Sequence, residues 1–419
     1  MYFNTSATGA ATQTAVKNFP LLVRLHASNF NMAEAARGGA DLRFTDPDGT
    51  ELPCHIARWD TGFYQNAEVW VNVPQVDANV STDYVVMWWG NPAAPALGGQ
   101  LALKQGPGDV LLGGDVPMGG KYVFDTAYGY VGAWHLDEEA ALKGAKNLYR
   151  DGNQAGNHGD DSVAGLSGAG ILGRAQQFDP LTGDYIPIKH TASQAFTGPL
   201  SFTAWIKGNK WSGTGVGANL SQVNPIVRKG DANNNPYQFC VAQGHLMLSL
   251  DSNDVGGPLS TALLPLGQWI HVAGVWDGKN VQLYVDGKLD LDKAPTKAPV
   301  MGKADTRPMY LGGRPPNFTD VNTLDLFDGA LDEVHMARTA YSKDWVKLEY
   351  ENQKQGSSIL TFTRIKVAPK DTVPKEDYSR WEYTRKVNFN TTVSGANVAK
   401  SVESVPVLVR LSSPLFNFS

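Results

Sequence analysis

The sequence has no excess of positive charge and no long apolar run. Lys and Arg number 36 against 41 Asp and Glu, which gives a net charge of −5. Nucleic acids and anionic membrane surfaces select basic patches, so this balance argues against both as partners. A bilayer crossing needs about 18 or more consecutive apolar residues. The chain has no such run, and we expect no membrane-spanning segment in it.

Cysteine is also scarce. The two cysteines, Cys54 and Cys240, lie far apart in the sequence and in regions that we expect to be separate domains. Disulfide frameworks use several cysteines at short spacing, so we predict two unpaired, semi-buried thiols.

Common catalytic motifs are absent: there is no P-loop, no HExxH and no G-x-S-x-G. Residues 168–173 (GAGILG) fit G-x-G-x-x-G, but a polar loop precedes them and a strand pattern follows. A dinucleotide site needs the order strand, turn, helix, so we predict a plain loop. Asp332 and Glu333 are adjacent, and neighbouring side chains of a strand point to opposite faces. They therefore do not form the carboxylate pair of a glycosidase.

What the sequence has in abundance is glycine and aromatic residues, with 44 Gly, 11 Trp and 15 Tyr. Short β-type runs separated by Gly, Pro, Asn and Asp extend along the chain, which predicts an all-β protein. Asp286-Gly287 between two such runs predicts a hairpin with a type I′ turn. One short helix is predicted at 342–351, with Ser342 as its cap and an apolar stripe behind it.

The end of the chain repeats its beginning. Residues 389–418 align without a gap onto residues 3–32, and thirteen of the thirty pairs are identical. The shared run LVRL occurs at 22–25 and at 408–411. We therefore expect a piece of a larger modular protein that contains one full unit and the opening of a second. We expect the apolar strand at 405–411 of this second copy to lack its own partners and to be disordered or to pair with an edge elsewhere.

Six segments between 122 and 334 resemble the LamG-like branch of the concanavalin A-like jelly rolls. They occur in that family's order: VGAWHL at 131–136, LSFTAWI at 200–206, GQWIHVA at 267–273, LYVDG at 283–287, LGG at 311–313 and FDGALDEV at 327–334. The resemblance implies a two-sheet sandwich with loops at its rims.

The preceding region resembles domain of unknown function 2341, which precedes LamG-like modules in bacterial envelope proteins. The matching segments are FPLLVRL at 19–25, GADLRF at 39–44, AEVWV at 67–71 and MWWGNP at 87–92, with a closing YENQ at 350–353. The predicted organisation is a small β-sandwich-like domain at 1–118, a LamG-like jelly roll at 119–355, a linker at 356–380 and a truncated second small domain at 381–419. The resemblance implies an extracellular, cell-surface or bacterial envelope location.

A calcium site is one candidate for chemistry. Calcium takes oxygen ligands from loops rich in Asp, Asn and Gly, and residues 151–159 (DGNQAGNHG) form such a loop. The resemblance to LamG-like domains implies Asp151 as a ligand with Asp332 as its late partner. In the alternative interpretation, both carboxylates cap turns and strand ends.

Exposed aromatic side chains are the other candidate, because sugar rings stack on them. Trp211 lies in a Gly- and Ser-rich segment that offers no evident core, and Phe63, Tyr64 and Phe318 also lie in predicted loops. We name these four as candidate ligand contacts. Local packing is the alternative role for each of them.

Together these patterns favour a non-enzymatic, modular surface or envelope protein. Its LamG-like domain is expected to bind a polysaccharide, a glycoprotein or another envelope protein, with Ca²⁺ as the only cofactor considered. One alternative is an envelope component of proton-driven, energy-transducing machinery for polymer uptake. Another is a carbohydrate-active enzyme whose carboxylates are not recognisable from spacing.

Overall fold

A computed structural model describes residues 1–61, 66–91, 93–94, 110–112, 123–138, 144–146, 148–165, 167–214, 222–231, 234–250, 257–295, 299, 306–313, 325–363 and 394. Residues 1–363 form one compact unit. The predicted second small domain at 381–419 lies outside the described residues apart from Ser394. Most of the predicted linker, from residue 364 onward, lies outside them as well.

The small domain is built from strands at the beginning of the chain. These strands are β1 (Tyr2–Phe3), β2 (Val16–His26), β3 (Arg43–Thr45), β4 (Glu51–Leu52), β5 (Cys54–Asp60), β6 (Asn66–Val76), β7 (Val86–Trp88) and β8 (Val110–Leu112). A four-stranded sheet has the order β2-β6-β5-β8, and a three-stranded sheet has the order β4-β3-β7. The long strands β2 and β6 are nearly continuous apolar runs because both of their faces are covered.

The second region contains the remaining strands and the α-helix. These elements are β9 (Tyr130–Trp134), β10 (Gly168–Ala169), β11 (Arg174–Phe178), β12 (Ile186–Ile188), β13 (Leu200–Gly208), β14 (Val223–Asp231), β15 (Asn234–Ala242), β16 (His245–Ser249), β17 (Leu259–Leu263), β18 (Ile270–Trp276), β19 (Val281–Val285), β20 (Lys288–Lys293), β21 (Met309–Leu311), β22 (Gly329–Ala337), α1 (Lys343–Gln353) and β23 (Leu360–Thr361). Short 3₁₀ turns occupy Met32–Glu34, Arg37–Gly39, Thr126–Tyr128 and Ala192–Gln194.

This region is a two-sheet sandwich, as the sequence predicts. The eight-stranded sheet has the order β10-β11-β22-β13-β18-β19-β20, with β9 also paired to β22. The six-stranded sheet has the order β12-β21-β14-β15-β16-β17. Inward-facing side chains of both sheets form one core, and the rings of Phe202 and Phe239 stack across it with centroids 5.7 Å apart.

Two local predictions are confirmed. Asp286 and Gly287 both have positive φ, 48° and 70°, as a type I′ turn between β19 and β20 requires. The hydroxyl of Ser342 accepts a hydrogen bond from the Trp345 amide at 3.1 Å and caps α1. The chain also returns to its start, because β23 pairs with β1.

The small domain and the sandwich share apolar packing. A single cluster of buried side chains contains Trp70 from β6, Phe124 from the connecting segment, Trp205 from β13 and Trp345 from α1. The two regions are therefore held together by a common core. Both cysteines are buried and neither forms a disulfide, as the sequence predicts.

Candidate functional sites

The outward face of the eight-stranded sheet is covered, and its cover contains an unusual set of ionisable groups. Thr203, Trp205 and His271 project from β13 and β18, away from the sandwich core, towards α1. The rings of Trp70 and Phe124 lie against His335 with centroids 6.2 and 5.1 Å away. We call the buried region between this face of the sheet, helix α1 and the rings of Trp70 and Phe124 the seam.

A chain of alternating histidine and glutamate side chains crosses the seam. His135 Nδ1 lies 2.8 Å from Glu333 Oε2, and His335 Nε2 lies 3.1 Å from the same oxygen. His335 Nδ1 lies 3.2 Å from Glu349 Oε1, and His271 Nε2 lies 3.1 Å from Glu349 Oε2. Each carboxylate is thus shared by two imidazoles, which compensates its burial with charge-assisted hydrogen bonds.

The pairing shifts the pKa values of the chain in opposite directions. Burial opposes the charged forms, but the bonds to Glu333 and Glu349 raise the pKa of His335 to about 9. Burial likewise opposes ionisation of Glu349, but its bonds to His271 and His335 lower its pKa to about 2. The two groups are therefore imidazolium and carboxylate at neutral pH.

A β-bulge places Glu333 in this chain. Thr203 is paired with His335, whereas Trp205 is paired with Asp332, so β22 has one residue too many opposite β13. Glu333 lies at this bulge, and its φ of 47° is a left-handed conformation. Val334 still points into the sandwich core, whereas Glu333 and His335 both reach the seam. The expectation that Asp332 and Glu333 point to opposite faces is wrong, because the bulge breaks the alternation.

Helix α1 joins the sandwich to the small domain. The side-chain amide of Asn352 accepts a hydrogen bond from the Leu22 N–H at 2.7 Å and donates one to the Leu22 carbonyl at 3.0 Å. It therefore occupies the position of a neighbouring strand beside β2, the edge of its sheet. Arg24 donates to the carbonyls of Asn352 and Gln353 at the end of the helix.

The outward face of the six-stranded sheet has a different character. A ladder row crosses it through Pro187, Tyr310, Arg228, Gln238 and Ser249, which are paired in that order on β12, β21, β14, β15 and β16. Directly paired residues share a face, and their neighbours Val227 and Phe239 lie in the core. The row therefore faces away from the core; we call it the polar row.

The polar row is rigidly held in the middle and opens at one end. Arg228 is fully buried and donates to Asp325 Oδ2 at 2.9 Å. At the β12 end, Tyr185 and Pro187 are half-buried. The ring of Tyr185 meets that of Tyr310 edge-on, with centroids 5.9 Å apart. The open end thus combines aromatic surface with hydrogen-bonding groups.

The structure uses the predicted calcium ligand Asp151 as a cap. Its Oδ1 accepts hydrogen bonds from the amides of Ala133 and Asn153 at 2.9 and 3.0 Å, and its Oδ2 accepts one from the Asn157 amide at 2.9 Å. Burial raises the pKa of Asp151 to about 7, although these three donors act in the opposite direction.

The predicted late partner, Asp332, has a similar environment. Its Oδ2 accepts hydrogen bonds from the amides of Ile171 and Leu172 at 2.7 and 3.0 Å. Those amides belong to the G-x-G-x-x-G segment. Its first two residues form β10, which differs from the predicted plain loop, and the rest is a loop before β11 that holds the protein's own carboxylate. The calcium site stays a prediction.

Of the four aromatic residues predicted to contact a ligand, Trp211 lies within the described residues. Trp211 is 3% exposed, and its indole nitrogen donates to the Leu264 carbonyl at 2.8 Å. The expectation that no core buries it is wrong, because its ring packs edge-on against Phe327 within the sandwich core. Phe63, Tyr64 and Phe318 lie outside the described residues.

The His–Glu chain of the seam was not predicted. Two of its three histidines, His135 and His271, lie inside segments that carry the family resemblance, VGAWHL and GQWIHVA. A histidine in an otherwise apolar strand was the available signal. Its meaning depends on Glu349, which is brought to the seam by a helix far along the chain.

Comparison with known sequence families agrees with the predicted order of domains. Residues 180–347 match the concanavalin A-like lectin/glucanases superfamily, and residues 38–100 match a domain of unknown function, number 2341. The second region of the chain is thus a concanavalin A-like sandwich, preceded by the small domain. No curated protein sequence matches the chain significantly.

Solved structures with a similar fold are distant. Domain 4 of AbnA, an extracellular arabinanase from Geobacillus stearothermophilus, is 16% identical with a TM-score of 0.35, and the match covers 52% of this chain and 97% of that one. The binding domain of Paraclostridial mosquitocidal protein 1 is 13% identical with a TM-score of 0.39, and the match covers 53% and 52%.

Botulinum neurotoxin type C is 12% identical with a TM-score of 0.35, and the match covers 54% of this chain and 51% of that one. The chain therefore spans about half the length of the two toxin chains. Similarities this distant say nothing about a ligand. Among the described residues, no helix is long and apolar enough to cross a membrane.

Proposed function

We propose that the protein is a non-enzymatic, modular surface or envelope protein whose concanavalin A-like sandwich binds a glycan. The observation that supports this most directly is the open end of the polar row. There the half-buried Tyr185 and its neighbour Tyr310 stand beside Arg228 on the outward face of the six-stranded sheet.

This arrangement suits a sugar. The C–H faces of a sugar ring are apolar and pack on aromatic rings, while hydroxyls need donors and acceptors at fixed positions. Half-buried Tyr185 supplies ring surface and a phenolic hydroxyl, and Tyr310 packs behind it. The buried pair of Arg228 with Asp325 fixes the sheet beneath Tyr310 before a ligand arrives.

The outward face of the eight-stranded sheet supports glycan binding at the polar row, because it is already covered by the protein itself. Its outward side chains are used by α1 and by the small domain at the seam. Asp332 and Glu333 now share that side, but Asp332 is bound by two backbone amides and Glu333 by two imidazoles. Both carboxylates are buried, which favours binding over glycoside hydrolysis as the function.

The test is a glycan array probed with the whole chain, followed by calorimetry on the glycans that bind. We expect Tyr185→Ala to weaken binding about tenfold or more, which corresponds to about 1.4 kcal/mol. The control is Tyr84→Ala, because Tyr84 forms a comparable ring pair with Tyr2 in the small domain. Absence of any bound glycan, or equal losses in the two variants, would contradict the proposal.

Calcium dependence is tested in the same experiments. We expect calcium to raise the melting temperature and strengthen glycan binding, and Asp151→Asn to remove both effects. If calcium changes neither quantity, the Asp151 carboxylate serves as a cap alone.

A protein ligand is the second candidate, and exposed leucines favour it. Leu263 on β17 is 66% exposed, and Leu259, Leu266 and Leu289 are also exposed. β17 and β20 are the outer strands of the two sheets and lie against each other. Exposed apolar side chains along one rim are typical of protein contacts. Leu263→Glu would then abolish capture of a glycoprotein while leaving its free glycan bound.

A further inference from the structure

Three ligand atoms of the seam converge as they do around a metal ion. One ring nitrogen of His135, one carboxylate oxygen of Glu333 and one ring nitrogen of His335 all lie within 4.8 Å of one another. Two imidazoles with one carboxylate form a common ligand set for divalent first-row transition metals. Neither the polar row nor the proposed glycan binding involves these side chains.

The spacing of the donor atoms fits one ion. Ligands bound to zinc at about 2.0–2.2 Å lie roughly 3 Å from each other. Glu333 Oε2 is already 2.8 Å from His135 Nδ1 and 3.1 Å from His335 Nε2. Both imidazole nitrogens face the same carboxylate oxygen, and they approach each other as the ion enters.

Glu349 supports this set from behind. Metal-binding histidines usually direct their second ring nitrogen to a carboxylate, which fixes the ring and makes it a better ligand. Glu349 holds Nδ1 of His335 at 3.2 Å, which leaves Nε2 for the side of Glu333. Glu349 is itself fixed by the Thr203 hydroxyl at 3.0 Å and by His271.

The Glu333 carboxylate is already partnered by cationic groups. Asp332, Glu68 and Asp137 lie close enough to act on its charge, and Arg24, Arg58 and the imidazoles of His135 and His335 oppose them. A divalent ion would replace the imidazole protons as the partner of this carboxylate, so its binding releases protons. The side chain of His135 is 12% exposed, whereas those of Glu333 and His335 are 3% and 0% exposed, so an ion would enter past His135.

Finally, the backbone at Glu333 carries strain. A left-handed conformation is unfavourable for a non-glycine residue, and such residues concentrate at functional sites. Here the bulge is what turns the Glu333 carboxylate towards both imidazoles. Without the bulge, the ligand set would not exist.

We infer that His135, Glu333 and His335 form a binding site for a divalent first-row transition metal ion of the zinc type, at the seam between the small domain and the sandwich. The ion links β22 to the residue that directly follows β9, within the sandwich, and it is independent of any glycan bound at the polar row.

Zinc binding to the chelator-treated whole chain tests this by calorimetry and by melting temperature. We expect one Zn²⁺ per chain and a higher melting temperature with zinc. Glu333→Gln, which keeps a hydrogen-bonding side chain, should weaken binding at least about 100-fold, and Glu349→Gln about 10- to 100-fold. His245→Gln is the control, because His245 lies on β16, outside the cluster, and should bind zinc as the wild type does.

X-ray absorption of the unaltered, zinc-loaded chain keeps the test decisive if the Glu333 variant does not fold. Two imidazoles and oxygen ligands in the spectrum would support the site. Sulfur ligands would point to Cys54 or Cys240 and overturn it. Failure of the wild type to bind zinc, or wild-type affinity in a folded Glu333→Gln variant, would overturn it as well.

Discussion

The two outward faces of the sandwich handle buried charge in different ways. At the seam, histidines and glutamates alternate, so that Glu333 and Glu349 are each held by two imidazoles. On the six-stranded sheet, Arg228 is fully buried and its guanidinium bonds to Asp325 within a row of neutral polar side chains. One face is closed by a folded domain with its charges shared among many partners. The other places its charge on a central pair beside an open end.

This difference predicts which contacts contribute most to the free energy of unfolding. Removing the partner of a buried charge strongly destabilises the fold. A charge that is shared among several partners keeps the remaining ones when one of them is removed. The consequences of substitutions on the two faces should therefore differ in size, and they can be ranked.

The largest effect is expected on the six-stranded face. Asp325→Asn removes the carboxylate partner of a fully buried guanidinium, and we expect a loss of about 3–5 kcal/mol in the free energy of unfolding. Urea denaturation measures it. Lys146→Ala is the control, because Lys146 and Asp160 form an exposed ion pair with a separation of 2.7 Å, and its loss should cost about 0–1 kcal/mol. Equal costs would show that Arg228 has adequate partners besides Asp325.

The next effect concerns the closure of the seam. Asn352→Ala leaves the buried N–H and C=O of Leu22 without the side-chain amide that pairs with them, and we expect a cost of about 2–4 kcal/mol. Urea denaturation again reports it, and proteolysis should become faster within β2. Glu351→Ala, on the partly exposed side of the same helix, serves as control with a cost below about 1 kcal/mol. A small effect of Asn352→Ala would mean that apolar packing alone closes the seam.

A smaller effect is expected at the rim of the six-stranded sheet. Trp211→Phe keeps an aromatic ring but removes the donor to the Leu264 carbonyl, and we expect a cost of about 1–2 kcal/mol in unfolding free energy. Thermal denaturation measures it. Glycan affinity should be unchanged, because the indole is buried. A loss of glycan affinity without loss of stability would restore the original prediction of a ligand contact.

The smallest expected effect concerns the two cysteines, which we expect not to react with an alkylating reagent in the native protein. Burial raises the pKa of the Cys54 thiol to about 12, so at pH 7.5 it holds essentially no reactive thiolate. Cys240, on the outward side of the six-stranded sheet, is also buried. We expect neither to be alkylated in the native protein and both to be alkylated in urea. Rapid labelling of Cys240 alone would show that the six-stranded face opens while the small domain stays closed around Cys54.

Much of the fold could be predicted from the sequence because its signals are local. Glycine-rich turns, apolar strand runs and the Asp286-Gly287 turn depend on residues close together in the chain. The helix cap at Ser342 is equally local. The order of the two domains followed from segments that stand in a family's order.

The candidate sites were much harder to predict. The bulge at Glu333 inverts the rule of alternation on which the treatment of Asp332 and Glu333 rested. Trp211 is buried by Phe327, which lies more than a hundred residues away in the sequence. The seam needs Glu349 from a helix and His271 from a strand in one place. No spacing in the sequence encodes such meetings.

The sequence by itself determined that this protein is all-β, that a small domain precedes a concanavalin A-like sandwich, and that one capped helix follows. Those properties depend on periodicity and turn chemistry, which act over a few residues. The tertiary structure alone decided which outward face is covered, that Glu333 turns to meet two histidines, and that Arg228 stands in a row with Tyr310. Such contacts join residues from distant strands, and their energies arise only when the chain has buried them together.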